Sequence, residues 1–175
     1  MRAFAFAAAL AAAGCAELTT RAPGDAVEFE LTARFAARYR GEAASGQLAW
    51  RHGGAGDEVL ISSPFGQGVA RVTRRDGAVT LVTADDRRYS ASDAETLTEE
   101  VLGFRLPLAG LAAWVRARPA PGSPAQSRRA PDGTLAELEQ DGWRIEYQAY
   151  EAGRPSRLRL HYPGLELRLA ISEWR

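Results

Sequence analysis

Val27-Glu-Phe-Glu-Leu-Thr-Ala-Arg-Phe-Ala-Ala-Arg-Tyr-Arg40 is the stretch that decides the fold of this 175-residue chain. Apolar and polar side chains alternate along it, so that Phe29 and Leu31 fall on one face and Glu30 falls on the other. A period of two residues is typical of a strand with one buried and one solvated face. The stretch therefore predicts a long, half-buried β-strand.

Shorter alternating stretches follow, and turn signals separate them. The clearest turns are Gly53 to Gly56, Arg75-Asp76-Gly77, Asp141-Gly142 and Pro163-Gly164. Connections as short as these favour strands that pair with their neighbours in sequence as an antiparallel meander.

The period changes from two to about 3.6 near residue 92. Ser92-Asp93-Ala94-Glu95 fits a capping box that opens a helix, and a second short helix is predicted to open at Pro107. The segment from Pro119 to Gly133 is rich in Pro, Ser and Ala and predicts a loop. We expect a mainly β protein with an α insertion: a single open, strongly curved antiparallel β-barrel of about 9–11 strands, with a helical lid on its concave side.

The first fifteen residues carry an export signal. Arg2 precedes an apolar run from Ala3 to Ala13, which is long enough for a secretory signal but too short to cross a bilayer. Small residues lead into Cys15, the only cysteine of the chain, so this residue is predicted to be a lipid attachment site and not half of a disulfide. The alternative is an ordinary signal peptide cleaved near Ala13, with Cys15 a free thiol.

These features divide the chain into a lipoprotein signal peptide at residues 1–14, a lipidated tether at 15–26 and a single domain at 27–175. Ala16 after the cysteine, in place of Asp, favours sorting to the outer membrane, where the protein would be lipid-anchored on the periplasmic side.

Charge gives little support to a nucleic-acid partner. Removing Arg2 with the signal leaves 21 of the 22 basic residues against 22 acidic ones, and no long run of either sign occurs. The sequence also contains no metal-ligand cluster, phosphate-binding loop or nucleophile motif, and the two histidines, His52 and His161, are expected to lie on solvated strands. We therefore expect no catalytic residues, no metal and no cofactor.

Five motifs, in this order, resemble the LolB family of outer-membrane lipoprotein receptors. They are Phe29-Glu-Leu-Thr-Ala-Arg34, Ser45-Gly-Gln-Leu-Ala-Trp50, Ser63-Pro-Phe-Gly-Gln67, the segment from Leu102 to Trp114 with its Leu-Pro-Leu core, and Gly142-Trp-Arg-Ile-Glu-Tyr147. The resemblance spans nearly the whole chain. It implies a LolA/LolB-like barrel that takes acylated lipoproteins from the periplasmic carrier LolA and inserts them into the outer membrane, acting as a monomer and without nucleotide or metal.

The same resemblance implies two sets of functional residues. The membrane-directed loop is Pro64-Phe65-Gly66, a connection between strands where an exposed aromatic has no packing reason to exist unless it folds back. The alternative is that Phe65 is a simple plug for the end of the sheet. The candidates for contact with acyl chains are inward residues of the strands and the lid: Phe29, Leu31, Phe35, Trp50, Leu97, Val101, Trp114, Trp143 and Tyr147. Each of the latter also has an interpretation as ordinary core.

Two other functions remain open from the sequence. The protein could bind a different apolar ligand, or it could be a purely structural lipoprotein of the envelope. A copurified ligand would distinguish them, because acylated peptide, free lipid and an empty core point to three different answers.

Overall fold

The computed structural model of the protein describes residues 26–102 and 104–175. The predicted signal peptide, Cys15 and most of the tether lie outside the described residues, as does Gly103.

Eleven strands and two helices make up the described chain. Their bounds are β1 Val27–Tyr39, β2 Glu42–Gly53, β3 Gly56–Ser62, β4 Gly68–Arg75, β5 Ala78–Thr83, β6 Arg88–Ala91, α1 Ala94–Leu102, α2 Leu108–Trp114, β7 Ala125–Arg129, β8 Leu135–Gln140, β9 Trp143–Glu151, β10 Arg154–Tyr162 and β11 Leu165–Trp174. The predicted fold class, a mainly β chain of about 9–11 antiparallel strands with a helical insertion, is confirmed, and the number of strands is eleven.

All eleven strands form one open antiparallel sheet in the order β6-β5-β4-β3-β2-β1-β11-β10-β9-β8-β7. The sheet is two meanders joined where β1 pairs with β11, for example Phe35 with Leu169. The long strand that decides the fold is therefore central, with β2 on one side and the last strand of the chain on the other.

The two helices pack on the side of the sheet that carries the apolar residues. Leu97 of α1 and Trp114 of α2 are fully buried. The core cluster joins them to inward residues of every strand except β6 and β7, so the helices and the sheet share one core. No helix within residues 26–102 and 104–175 is long and apolar enough to span a bilayer.

The cap of α1 differs from the prediction. Asp93, not Ser92, caps the helix: its Oδ1 accepts a hydrogen bond of 2.7 Å from the Thr96 backbone N–H, and the Ser92 hydroxyl donates to Asp93. Asp is as good an N-cap as Ser and also carries a negative charge toward the positive end of the helix. The helix therefore begins one residue later than the box suggested.

The predicted loop from Pro119 to Gly133 is also partly wrong. It contains β7, all five residues of which are exposed, paired with β8 at the edge of the sheet. Because an edge strand with no buried face needs no alternation of apolar residues, its sequence carries no strand signal.

Candidate functional site

The concave side of the sheet, under the two helices, is the candidate cavity. Seven of the nine residues predicted to line it are buried: Phe29, Leu31, Trp50, Leu97, Trp114, Trp143 and Tyr147. The other two, Phe35 and Val101, are partly buried and pack against the same core. All nine therefore belong to one apolar interior; their contact with acyl chains stays a prediction.

The aromatic residues of this interior form two groups. Phe29 packs edge-on against Trp50, with ring centroids 5.3 Å apart, and lies 5.7 Å from Trp174. On the other side, Trp143 lies 5.7 Å from Trp114 and stacks on Tyr162 at 5.0 Å. The first group belongs to the sheet alone, whereas the second joins helix α2 to the sheet.

Gln140, at the end of β8, holds α2 and the chain that follows it. Its side-chain oxygen accepts hydrogen bonds from Trp114 Nε1 at 2.9 Å and from the Ala120 backbone N–H at 2.7 Å. Its amide nitrogen donates to the carbonyl oxygens of Ala120 at 2.8 Å and Ser123 at 3.0 Å. A buried amide with all these partners fixes the position of α2 relative to β8.

Two further contacts hold α2. The Tyr147 hydroxyl donates a hydrogen bond of 2.8 Å to the carbonyl oxygen of Trp114, and burial raises the pKa of this hydroxyl, so it remains a neutral donor. Just after the helix, Arg116 forms an ion pair of 2.7 Å with Glu28 on β1, and its guanidinium lies over the ring of Phe29. Helix α2 is thus tied to both halves of the sheet.

Helix α1 is held differently. Its polar side chains bond within the helical segment: Thr98 Oγ1 donates to the Ala94 carbonyl and accepts from the Leu106 backbone N–H, both at 2.8 Å, and Glu99 pairs with Arg105 at 3.3 Å. Its hold on the sheet comes from buried apolar side chains such as Leu97. An apolar contact surface can be exchanged for another apolar partner without leaving polar groups unpaired.

The predicted membrane-directed loop is a tight turn between β3 and β4. Gly66 has a φ of +85°, and its N–H donates to the Ser63 carbonyl at 2.9 Å, while the Ser63 N–H donates to the Gln67 carbonyl at 2.8 Å. Gln47 on β2 donates to the Pro64 carbonyl at 3.3 Å. Within this ordered turn the Phe65 side chain is 94% exposed.

Phe65 is accompanied by other apolar side chains. Within residues 26–102 and 104–175, the exposed large hydrophobics are Phe65, Val69 on β4 and Leu60 on β3. All three belong to one hairpin, so an apolar patch is concentrated at its tip and along its flanks.

A polar cluster inside the sheet was not predicted. Asp57 on β3 is buried and accepts hydrogen bonds from Trp50 Nε1 at 2.8 Å and Arg74 Nε at 2.6 Å, and its Oδ1 lies 2.6 Å from His52 Nδ1. Burial alone would raise the pKa of Asp57, but the hydrogen bonds from His52, Trp50 and Arg74 outweigh burial and lower it. His52 was expected on a solvated strand, and that prediction is wrong, because its ring packs in the core 4.8 Å from Phe29.

The alternation of inward and outward side chains along the strands did contain a signal for the two polar residues that were not predicted, Gln140 and Asp57. Gln140 follows Leu138 by two residues, and Asp57 precedes Val59 by two, so each occupies an inward position of its strand. A polar residue on an inward face needs a buried partner. The partners of Gln140 lie 20 and 26 residues away in sequence, whereas Asp57 finds two of its partners, His52 and Trp50, on the neighbouring strand of the same hairpin.

The second histidine, His161, and the acidic residues of the described chain form no metal-binding group. His161 is half-buried between Glu146 and Glu166, at 3.7 and 3.9 Å, and no group of His, Cys, Asp and Glu residues within 26–102 and 104–175 could hold a metal ion. The organisation that does stand out is an apolar interior beneath two helices, with an exposed aromatic turn at one end.

This arrangement is the LolA-type fold: an open antiparallel sheet that encloses an apolar interior behind a helical lid. The LolA superfamily protein NE2245 from Nitrosomonas europaea has a TM-score of 0.54 and 11% identity, covering 89% of this chain and 87% of that one. A DUF1329 family protein from Desulfovibrio piger has a TM-score of 0.53 and 9% identity, covering 88% and 86%. At such identities the likeness establishes the fold.

Sequence comparison establishes the family. The family model described as "Outer membrane lipoprotein LolB" matches residues 27–174, and the chain belongs to the LolB family. The outer-membrane lipoprotein LolB of Thiobacillus denitrificans is 43% identical over 83% of this chain and 78% of its own length. The protein of the same name from Pseudomonas aeruginosa LESB58 is 38% identical over 100% of this chain and 96% of its own.

Proposed function

We propose that this protein is an outer-membrane lipoprotein receptor: it accepts acylated lipoproteins from the periplasmic carrier LolA into the space under its lid, and inserts them into the outer membrane. It is anchored there through a lipid on Cys15, on the periplasmic side, and it acts as a monomer. The observation that carries the proposal is the combination of an apolar interior under the helices with the exposed Phe65 at one end of the sheet.

The chemistry of the cargo explains why such a protein is needed. Burying one methylene is worth about 0.8 kcal/mol, so a sixteen-carbon acyl chain costs on the order of 12 kcal/mol to hold in water. A cost of this size rules out free diffusion of a lipoprotein between membranes. A receptor must therefore offer an apolar surface by direct contact with the carrier.

The contacts of the two lid helices support different roles for them when cargo enters. Displacing α2 would break the hydrogen bonds of Trp114 with Gln140 and Tyr147 and leave buried polar groups unpaired. Displacing α1 exposes Leu97 and its apolar neighbours, and an acyl chain can cover them again. Helix α1 is the part that moves to admit cargo, whereas α2 stays with the sheet.

The position of the anchor is compatible with the loop touching the same membrane. Val27 and the Phe65 loop lie at different positions along the strand direction. Val27 pairs with Gly53, whereas Ser62, at the base of the loop, pairs with Gln47. Gln47 in turn pairs with Arg34, seven residues along β1 from Val27. Seven residues of strand span about 23 Å. Eleven residues lie between Cys15 and Val27, which allows up to about 40 Å of chain between these two residues.

Transfer itself tests the proposal. The chain from Ala16 onward keeps all the strands and the whole core described above. We expect that, when it is mixed with LolA loaded with a labelled lipoprotein, the label moves to this protein and then to liposomes. A label that stays on the carrier at every ratio would contradict the receptor function, and copurified free lipid in its place would favour a binder of another apolar ligand.

A further inference from the structure

The convex side of three central strands carries a lattice of arginine side chains, which we call the arginine face. Its members are Arg34 and Arg38 on β1, Arg157 and Arg159 on β10, and Arg168 on β11. Strand pairing places Ala170 between Arg34 and Arg157, and Arg168 directly opposite Arg159. Since neighbouring strands lie about 4.8 Å apart, the backbones at Arg34 and Arg157 are about 10 Å apart.

Acidic residues neutralise only part of this charge. Glu166 pairs with Arg168 at 2.6 Å, and Glu146 lies 3.8 Å from Arg159. The three remaining members of the arginine face are Arg34, Arg38 and Arg157, and all three are exposed. Within the described parts of the chain, none of them forms an ion pair or a side-chain hydrogen bond with another residue. The face therefore keeps an excess of positive charge although the whole chain is balanced.

The charge is also arranged along the strand direction. The solvent-facing side of β1 begins with Glu28 and Glu30 and continues with Arg34 and Arg38. The basic part is beside the membrane-directed loop, because Arg34 pairs with Gln47, whose side chain donates to the carbonyl of Pro64. One strand thus separates the arginine face from the exposed Phe65.

We propose that the arginine face binds the phosphate groups of anionic phospholipids when the Phe65 loop enters the membrane; this rests on the receptor function above. Guanidinium groups bind phosphate oxygens in bidentate fashion, and each basic residue near an anionic membrane contributes to binding. The small side chains of Ala36 and Ala170 lie between the arginines and leave them accessible. Apolar insertion alone is reversible, and a basic surface beside it supplies the second attraction that stable membrane contact needs.

A membrane fits this face better than an acidic protein because of what adjoins it. The exposed Phe65 belongs to the loop that Gln47 ties to the strand beside Arg34, so an apolar side chain and the basic surface share one end of the sheet, as on proteins that combine apolar insertion with charge attraction. A groove of about 620 Å³ at the end of the face, lined in part by Arg38 and Arg40, gives headgroups room beside the turn at Gly41.

Vesicle binding by the chain from Ala16 onward tests the inference. The test variant is Arg34→Gln/Arg157→Gln, and the matched control is Arg75→Gln/Arg118→Gln, which removes two exposed arginines away from the face. Cosedimentation is measured with phosphatidylcholine vesicles, with and without roughly 30 mol % phosphatidylglycerol. We expect the test variant to lose affinity for the anionic vesicles by about 30-fold, or about fivefold per charge, and to bind neutral vesicles like the parent. The control should change affinity by about twofold or less, since its charges lie away from the surface.

Two results would overturn the inference: a parent that binds both kinds of vesicle equally, or a test variant that matches the control. If the test variant binds vesicles normally but takes less cargo from LolA, the face is a docking site for an acidic protein and the membrane assignment is wrong. The transfer assay distinguishes a failure of the arginine-face proposal from a failure of the proposed receptor function. A parent that accepts cargo without preferring anionic vesicles leaves the receptor function standing, whereas vesicle preference without cargo transfer supports the arginine face and contradicts the receptor.

Discussion

The indole Nε1 of Trp114 donates a 2.9 Å hydrogen bond to the side-chain oxygen of Gln140, 26 residues further along the chain. The same oxygen accepts a hydrogen bond from the backbone N–H of Ala120. One side-chain amide therefore contacts both the last residue of α2 and the segment that follows this helix. Helix α2 is thus held by buried hydrogen bonds, whereas α1 is held to the sheet by apolar contact.

Replacing Gln140 with Leu should loosen α2. The change leaves the buried Nε1–H of Trp114 without a partner, at about 1–3 kcal/mol, and also removes the acceptor of the half-buried Ala120 N–H. We expect the free energy of unfolding to fall by about 2–4 kcal/mol, measured by urea denaturation. Gln126→Leu on the exposed edge strand β7 is the matched control and should change it by about 0.5 kcal/mol or less. Equal effects of the two changes would contradict the role of Gln140.

Leu97→Glu should impair acceptance of cargo. Leu97 is fully buried on the helix proposed to move, and a carboxylate there resists contact with an acyl chain. Labelled lipoprotein should stay on LolA, whereas Glu100→Ala on the exposed side of α1 should accept it normally. Because Leu97→Glu could unfold the protein, Leu97→Ala is measured beside it. This change should cost about 2–4 kcal/mol of stability and leave a folded receptor that still takes cargo.

Phe65→Glu should separate acceptance from delivery. The side chain is 94% exposed and contributes little to stability, so the melting temperature should change little. Losing an aromatic that gains about 1–3 kcal/mol at the membrane should reduce deposition into liposomes while uptake from LolA continues. Gln67→Glu adds the same charge to the turn but keeps the aromatic, and should deliver well. Normal delivery by Phe65→Glu would rule out the membrane-directed loop.

Asp57 should make the protein lose stability in acid. Its pKa is lowered in the folded protein relative to an unfolded value of about 3.9, so its ionised form stabilises the fold above that pH. This stability is lost as the pH falls through the lowered folded pKa. Asp57→Asn should reduce the free energy of unfolding at neutral pH by about 2–3 kcal/mol and flatten its decline below about pH 4.

The control for Asp57 is Asp76→Asn, at the exposed turn between β4 and β5. Asn tolerates the positive φ of 51° at this position as well as Asp does, so stability at neutral pH and its acid dependence should both match the parent. The free energy of unfolding is measured by chemical denaturation at a series of pH values from 7 downward. If Asp57→Asn loses stability in acid as the parent does, the buried carboxylate has no such role.

Cys15→Ala should release the protein from the membrane without unfolding it, because the paired strands begin only at Val27. Cell fractionation after high-salt and carbonate washes measures this, with Ser172→Ala on the exposed face of β11 as a control that should remain anchored. A Cys15→Ala variant that still sediments with membranes would mean that the anchor lies elsewhere.

The strands and their turns were accessible from the sequence because their physical causes are local. Alternation from Val27 to Tyr39 places side chains on two faces whatever the partner strand is, and Asp76-Gly77 adopts the positive φ values that its hairpin requires. The order of motifs also indicated the family. The resemblance to the LolB family predicted an exposed Phe65, whereas the residues alone also allowed a plug for the end of the sheet; the structure shows the side chain exposed.

Tertiary structure alone decided how these pieces meet. Pairing of β1 with β11 joins the two ends of the domain, and no local signal marks it, because any strand with free N–H and C=O groups can pair with another. The partners of Gln140 and the arginine face likewise depend on residues that are distant in sequence. Local periodicity sets which way a side chain points, but which side chain it meets is set by the order and register of the strands.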